Sequence, residues 1–194
     1  MIIDQAEPRA RALAAEALRS HQPVVIPTET VYGLAVNPTT PAGLDHIVAL
    51  KQRPIEQALA VLVANADAAL DLAVMRASVA TIVVSVWPGP LTVVADRVPG
   101  VDLYLGGDPT SIGVRCPDND WVRAVVDEVG PVAATSANRS GEPPVTTAAE
   151  AEQLFGPDIL VIDGGTIVGE ASTVVDVRTD PPSLLRAGPI AVHW

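Results

Sequence analysis

Short apolar runs of Val, Ile, Leu and Ala recur along this chain, and segments with helical spacing alternate with them. The runs include PVVIP at 23–27, ALAVLVA at 58–64, SIGVRCP at 111–117, PVAATSAN at 131–138 and DILVIDGG at 158–165. Each has the length of a buried strand and falls far short of the roughly 20 apolar residues that a membrane helix needs. Strands that interleave with helices in this way predict an α/β domain (α+β type), with helices packed on a mixed sheet. Apolar residues make up 48% of the chain but aromatics only 3%. The core must therefore be aliphatic, as in sheets covered on both faces.

The intervening segments carry helix punctuation. Ala and Leu recur at helical spacing from about 7 to 20, after Pro8. In TTPAGLDHIVALKQRP (39–54), Thr40 stands as a cap, Pro41 at the first helical position, and Leu44, Ile47 and Val48 on one face. Pro54 stops this helix, so Lys51 and Arg53 fall at its C-terminal end. Further helices are expected over 66–74, 76–86, 118–130 and 146–156. LTVVAD (91–96), STVVDV (172–177) and SLLRAG (183–188) read as additional strands. No repeat or low-complexity linker divides the 194 residues, which predicts one domain spanning 1–194.

Several function classes are disfavoured. The net charge of -11 opposes broad contact with nucleic acid, which needs clustered Lys and Arg. Cys116 is the only cysteine, and His21, His46 and His193 are scattered. Neither a disulfide nor a zinc-type spacing exists, and a reducing cytoplasmic setting is expected. The N-terminus carries Asp4, Glu7, Arg9 and Arg11 in place of an apolar signal core. Neither G-x-x-x-x-G-K-[ST] nor G-x-G-x-x-G appears, and no histidine neighbours a candidate nucleophile.

Polar clusters do recur beside the apolar runs, at Thr28–Thr30, Ser111–Arg115, Thr135–Asn138 and Ser172–Thr173. PTETVYGLAV (27–36) packs two threonines, a glutamate and a tyrosine between proline and glycine, without the Asn-Gly or Asp-Gly of a surface hairpin. These clusters are expected to follow buried strands and to converge on one cavity. Simpler readings stand beside that one. Thr28, Thr30 and Thr135 suit the capping of strand-end backbone groups, Ser136 and Asn138 suit a turn, and Lys51 suits the negative end of a helix dipole. Arg115, ending an apolar strand, requires a carboxylate partner, for which Asp118 and Asp176 are candidates within the chain.

The segments PTETVYGL, KQRP, WPGPLT, GVRCP, TSANRSG, and ASTVVD followed by LLRAG occur in an order and at spacings that resemble the YrdC/Sua5 family of threonylcarbamoyl-AMP synthases. The resemblance covers nearly the whole chain and fits the short, single-domain form. Its most diagnostic part joins Lys51 and Arg53 to Ser136 and Asn138. Gln52 stands where the family often has glycine.

The resemblance implies a three-layer YrdC/RibB-like domain with a twisted mixed sheet flanked by helices. It also implies synthesis of threonylcarbamoyl-AMP and pyrophosphate from L-threonine, bicarbonate or CO2, and ATP, for threonylcarbamoyladenosine modification of tRNA by downstream transfer proteins. Lys51 and Arg53 would act on phosphate; Thr30, Arg115, Thr135 and Ser172 would hold threonine; Arg53, Ser111, Ser136, Asn138 and Arg186 would hold ATP. Mg2+ is expected to accompany ATP, with no residues assigned to it, and neither direct tRNA binding nor membrane association is expected. The other readings are an RNA-binding YrdC-like protein and a paralogue or carbamoyl-adenylate enzyme using another acceptor.

Overall fold

A computed structural model describes residues 1–52 and 54–192. Among them the strands are β1 (Ile2–Asp4), β2 (Val24–Pro27), β3 (Tyr32–Val36), β4 (Ala60–Leu62), β5 (Ala73–Val74), β6 (Leu91–Arg97), β7 (Ser111–Arg115), β8 (Val132–Ser136), β9 (Leu160–Asp163), β10 (Thr173–Asp176) and β11 (Ser183–Arg186). The helices are α1 (Ala10–Arg19), α2 (Pro41–Lys51), α3 (Ala66–Leu70), α4 (Ala77–Val86), α5 (Asp120–Val129) and α6 (Ala148–Phe155).

The strands form one sheet in the order β1-β9-β2-β3-β8-β4-β7-β6-β10-β11, with β5 paired to β6. It is mixed, as expected. The β1–β9, β9–β2, β4–β7 and β6–β10 pairs are parallel, and the others antiparallel.

Period two along each strand divides the aliphatic core between the two faces. On one face Val24 and Ile26 of β2, Ala35 of β3, Leu62 of β4 and Val132 of β8 meet Ala14 and Leu18 of α1 and Val122, Val125 and Val126 of α5. On the other, Val25, Leu34, Val61, Val93, Val114 and Ala133 join Leu44 and Ile47 of α2, Val79 and Val83 of α4 and Phe155 of α6. The result is three layers, helix on sheet on helix.

The helix punctuation acts in different ways at different ends. Asn119 Oδ1 accepts from the Val122 amide and Thr147 Oγ1 from the Glu150 amide, capping α5 and α6. Thr40 precedes α2 in extended conformation, yet its side chain makes no cap bond; its hydroxyl pairs instead with His21 Nδ1 at 3.3 Å. Past Lys51, Gln52 turns into the left-handed region at φ 52°, a conformation that glycine adopts with least cost. Three expectations need correction. β1 had no counterpart in the sequence reading, because a three-residue edge strand offers too little period to read. The segment 66–74 splits into the short α3 and the strand β5, since Asp71 ends the helix and Ala73–Val74 find an edge of β6. The polar clusters at Ser111–Arg115, Thr135–Ser136 and Thr173 lie within β7, β8 and β10 rather than after them.

Candidate active site

The face of the sheet covered by α1 and α5 continues beyond them as the floor of a cavity of about 390 Å3. Alternate residues supply that floor: Ala60 and Leu62 of β4, Thr92 and Val94 of β6, Ser111, Gly113 and Arg115 of β7, Ala134 and Ser136 of β8. Pleating alone places these pairs on one side. Four neighbouring strands thus build a shallow cradle from the sheet surface, rather than only from their ends.

One corner lies where α2 ends against β8. Lys51 is only 3% exposed, and its ammonium donates to the Ser136 carbonyl at 2.5 Å, the Asn138 carbonyl at 2.8 Å and Asn138 Oδ1 at 2.6 Å. Ser136 Oγ donates to the same Oδ1 at 2.6 Å, and Asn138 Nδ2 donates to the Glu142 carbonyl at 2.5 Å. The cation is therefore held by oxygen dipoles in a closed network. Such a network fixes positive charge at this corner. Arg53, the other member of the Lys-x-Arg pair, lies outside the described residues.

The opposite corner centres on Arg115, 7% exposed. Its Nη2 donates to Glu29 Oε1 at 2.7 Å and to Thr30 Oγ1 at 3.0 Å, and its Nε lies 3.4 Å from the Gly89 carbonyl. The expected carboxylate partner exists, but it is Glu29. Asp118 pairs with Arg123 at 3.6 Å and Asp176 with Arg178 at 2.7 Å, which corrects both sequence candidates. Tertiary packing decides this: β7 lies beside the loop between β2 and β3, whereas Asp118 belongs to the turn entering α5.

Within that loop, Thr28 Oγ1 receives the amides of Thr30 and Val31 and donates to the Val31 carbonyl at 2.6 Å. Thr28 is the strand-end cap; Thr30, 2.9 Å away, turns its hydroxyl to Arg115. A side chain at Gly169 would meet the Thr30 carbonyl at 2.3 Å, so glycine lets the 164–172 segment press on this corner.

Ser172 joins a third group. Its hydroxyl pairs with Thr92 Oγ1 at 2.8 Å, and its carbonyl receives Arg186 Nε at 3.0 Å and Nη2 at 2.8 Å. Partial desolvation, and then the positive charge of Arg115, lower the Arg186 guanidinium from its ordinary value. Two cations facing one space suit an anionic guest.

The structure brings Lys51, Ser111, Arg115, Thr135, Ser136, Asn138, Ser172 and Arg186 to this cavity. Thr30 sits behind Arg115 and borders a second pocket of about 280 Å3 with Glu29, Pro90, Gly169, Glu170 and Pro189. Glu29 and Thr92 were missed as site residues, although both lie in quoted segments. Period two pairs Thr92 with Val94, a signal that the sequence contained; nothing local pairs Glu29 with a residue 86 positions away. Tyr32, Trp87 and Cys116 are buried packing residues. Tyr32 also donates to the Gly165 carbonyl at 2.7 Å, and Trp87 Nε1 to the Leu91 carbonyl at 2.7 Å.

Fold and site together define a three-layer mixed α/β domain with a cation-lined polar cavity on one sheet face. Residues 16–188 match the Sua5_yciO_yrdC family model, described as "Telomere recombination", and the chain belongs to that family. The threonylcarbamoyl-AMP synthase of Pyrococcus abyssi is 36% identical over 180 residues, covering 91% of this chain and 53% of the relative. The threonylcarbamoyl-AMP synthase of an Enterobacter species (strain 638) is 31% identical over 159 residues, 80% of this chain and 84% of the relative. The chain thus spans about half the length of the former and most of the latter. Among solved structures, P. abyssi Sua5 complexed with L-threonine superposes with a TM-score of 0.89 at 34% identity, over 97% of this chain and 57% of that one. Escherichia coli YciO superposes with a TM-score of 0.84 at 21% identity, over 97% and 93%, and shares the fold.

Proposed function

We propose that this chain is a threonylcarbamoyl-AMP synthase, joining L-threonine, bicarbonate or CO2, and ATP with release of pyrophosphate. The observation that carries this reading is the cavity itself: one sheet face gathers the Lys51–Ser136–Asn138 network, Arg115 and Arg186 around a single space of about 390 Å3. Relatives named for this activity at 31% to 36% identity support it.

In this reading the amino acid lies toward Thr30, Arg115, Thr135 and Ser172. The nucleotide lies toward Ser111, Ser136, Asn138 and Arg186, with Arg53 assigned to it by sequence. The carbamate oxygen of N-carboxythreonine must displace pyrophosphate in line at the α-phosphorus, a reaction governed by positioning and charge neutralisation. No side-chain nucleophile is required. Lys51 supplies fixed positive charge through the Ser136–Asn138 corner it braces, and Arg186 offers a guanidinium to phosphate oxygens.

Magnesium fits as a companion of ATP rather than as a resident ion. Among the described residues no Asp or Glu lines the larger cavity, and no group of three or more metal-ligating side chains occurs. Substrate phosphates would then supply most of its ligands. The product would pass to proteins that transfer the threonylcarbamoyl group to tRNA, and the chain would work in the cytoplasm. No helix among the described residues is long and apolar enough to cross a membrane.

Incubating the pure protein with labelled threonine, bicarbonate, ATP and Mg2+ tests the reading. Pyrophosphate and a labelled adenylate are expected only when all are present. Equal pyrophosphate release without threonine overturns it.

A further inference from the structure

Glu29 carries an unexplained feature. Its Oε1 engages Arg115, but its Oε2 is buried and has no hydrogen-bond partner. A carboxylate oxygen removed from water without a donor costs free energy, and such groups in folded proteins call for a reason. The Arg115 side of the contact is asymmetric too. Nη2 is committed to Glu29 and Thr30, while Nη1 has no hydrogen-bond partner among the described residues.

This corner therefore offers two complementary valences side by side: guanidinium protons for an anion and a desolvated carboxylate oxygen for a cationic donor. An α-amino acid presents both charges on one carbon. Resting on the synthase reading, which places the amino acid toward Arg115 and leaves that guanidinium to its carboxylate, we propose that Glu29 receives the α-ammonium of the amino-acid substrate. Glu29 and Thr30 border the smaller pocket while Arg115 lines the larger cavity, and Arg115 bonds to both, so the amino acid's charged end would sit at that contact. The role is recognition: a carboxylic acid lacking the amine leaves Oε2 unpaired. A site built to pair a polar group rejects the analogue without it far more strongly than a hydrophobic pocket rejects a missing methylene.

The probe is L-threonine against (R)-3-hydroxybutyrate, which is threonine without its α-amine. Calorimetric titration of both into the wild type and Glu29→Gln, with a thermal melt of each protein, reads the preference as a ratio. Using a ratio cancels any general gain in carboxylate binding when Glu29 no longer competes for Arg115. The wild type is expected to prefer threonine, and Glu29→Gln to lower that preference by roughly 10-fold to 100-fold, the scale of a charge-assisted hydrogen bond. Glu170→Gln, altering the other carboxylate of the smaller pocket, is expected to leave the ratio unchanged. A wild type that binds threonine without preferring it overturns the inference alone, whatever the variant's stability. So does an unchanged ratio in Glu29→Gln, or a ratio that falls in Glu170→Gln instead. A wild type that binds neither compound overturns the synthase reading and this inference with it.

Discussion

The Lys51 corner and the Arg115 corner both hold a buried cation at the end of a regular element, and they satisfy it in opposite ways. Lys51 donates to three oxygen dipoles of Ser136 and Asn138, and Ser136 Oγ ties the two residues together. Arg115 has a carboxylate, a hydroxyl and a distant carbonyl, and its carboxylate partner keeps one oxygen without a donor. A closed network keeps its shape before and after a guest arrives. An open one is completed by the guest. In the proposed function the first corner would brace the site and the second would read the ligand.

Breaking the closed corner is expected to have the largest effect. Lys51→Met strands the Ser136 and Asn138 oxygens in a buried setting, and unfolding by urea is expected to show a loss of about 2–4 kcal/mol. Pyrophosphate release should fall with it even in the folded fraction. A stability unchanged within error would mean that the network is not closed.

Arg115→Ala attacks the open corner. Threonine affinity is expected to drop by about 1.5–3 kcal/mol with ATP affinity little altered. The variant also leaves Glu29 without its cation, so Glu29→Gln added to Arg115→Ala should recover part of any lost melting temperature. A double variant less stable than the single one would count against the ion pair as drawn.

Arg186→Lys sharpens the contrast at the end proposed for the nucleotide. Nε and Nη2 both reach the Ser172 carbonyl, a fork that an ammonium cannot reproduce. The KM for ATP is expected to rise by about fivefold, roughly 1 kcal/mol, with that for threonine nearly constant. Steady-state kinetics with each substrate varied in turn decides it.

The smallest effect belongs to the backbone that leads away from Lys51. Gln52 adopts φ 52°, where a side chain is disfavoured, so Gln52→Gly should stabilise the protein by up to about 1 kcal/mol. A thermal melt that moves downward instead would show that the Gln52 side chain contributes contacts outweighing its backbone cost.

The sequence by itself determined the helix and strand alternation, the aliphatic core of a sheet covered by helices and several polar residues of the cavity wall. These follow from local periods of two and 3.6, and from polar residues interrupting apolar runs at identifiable places. It also carried Lys51, Ser136 and Asn138 as a set, through the resemblance of KQRP and TSAN. The tertiary structure decided the pairings. Asp118 and Asp176 stood nearer or equally plausible as partners of Arg115, yet Arg123 and Arg178 take them. Glu29 reaches Arg115 only because β2, β3, β8, β4 and β7 follow one another across the sheet. Charge pairing depends on distance in space, and strand order, which no local pattern encodes, sets that distance. For the same reason Ser172 proved to be the anchor of Thr92 and Arg186, three residues whose neighbourhood exists only once β6, β10 and β11 lie side by side.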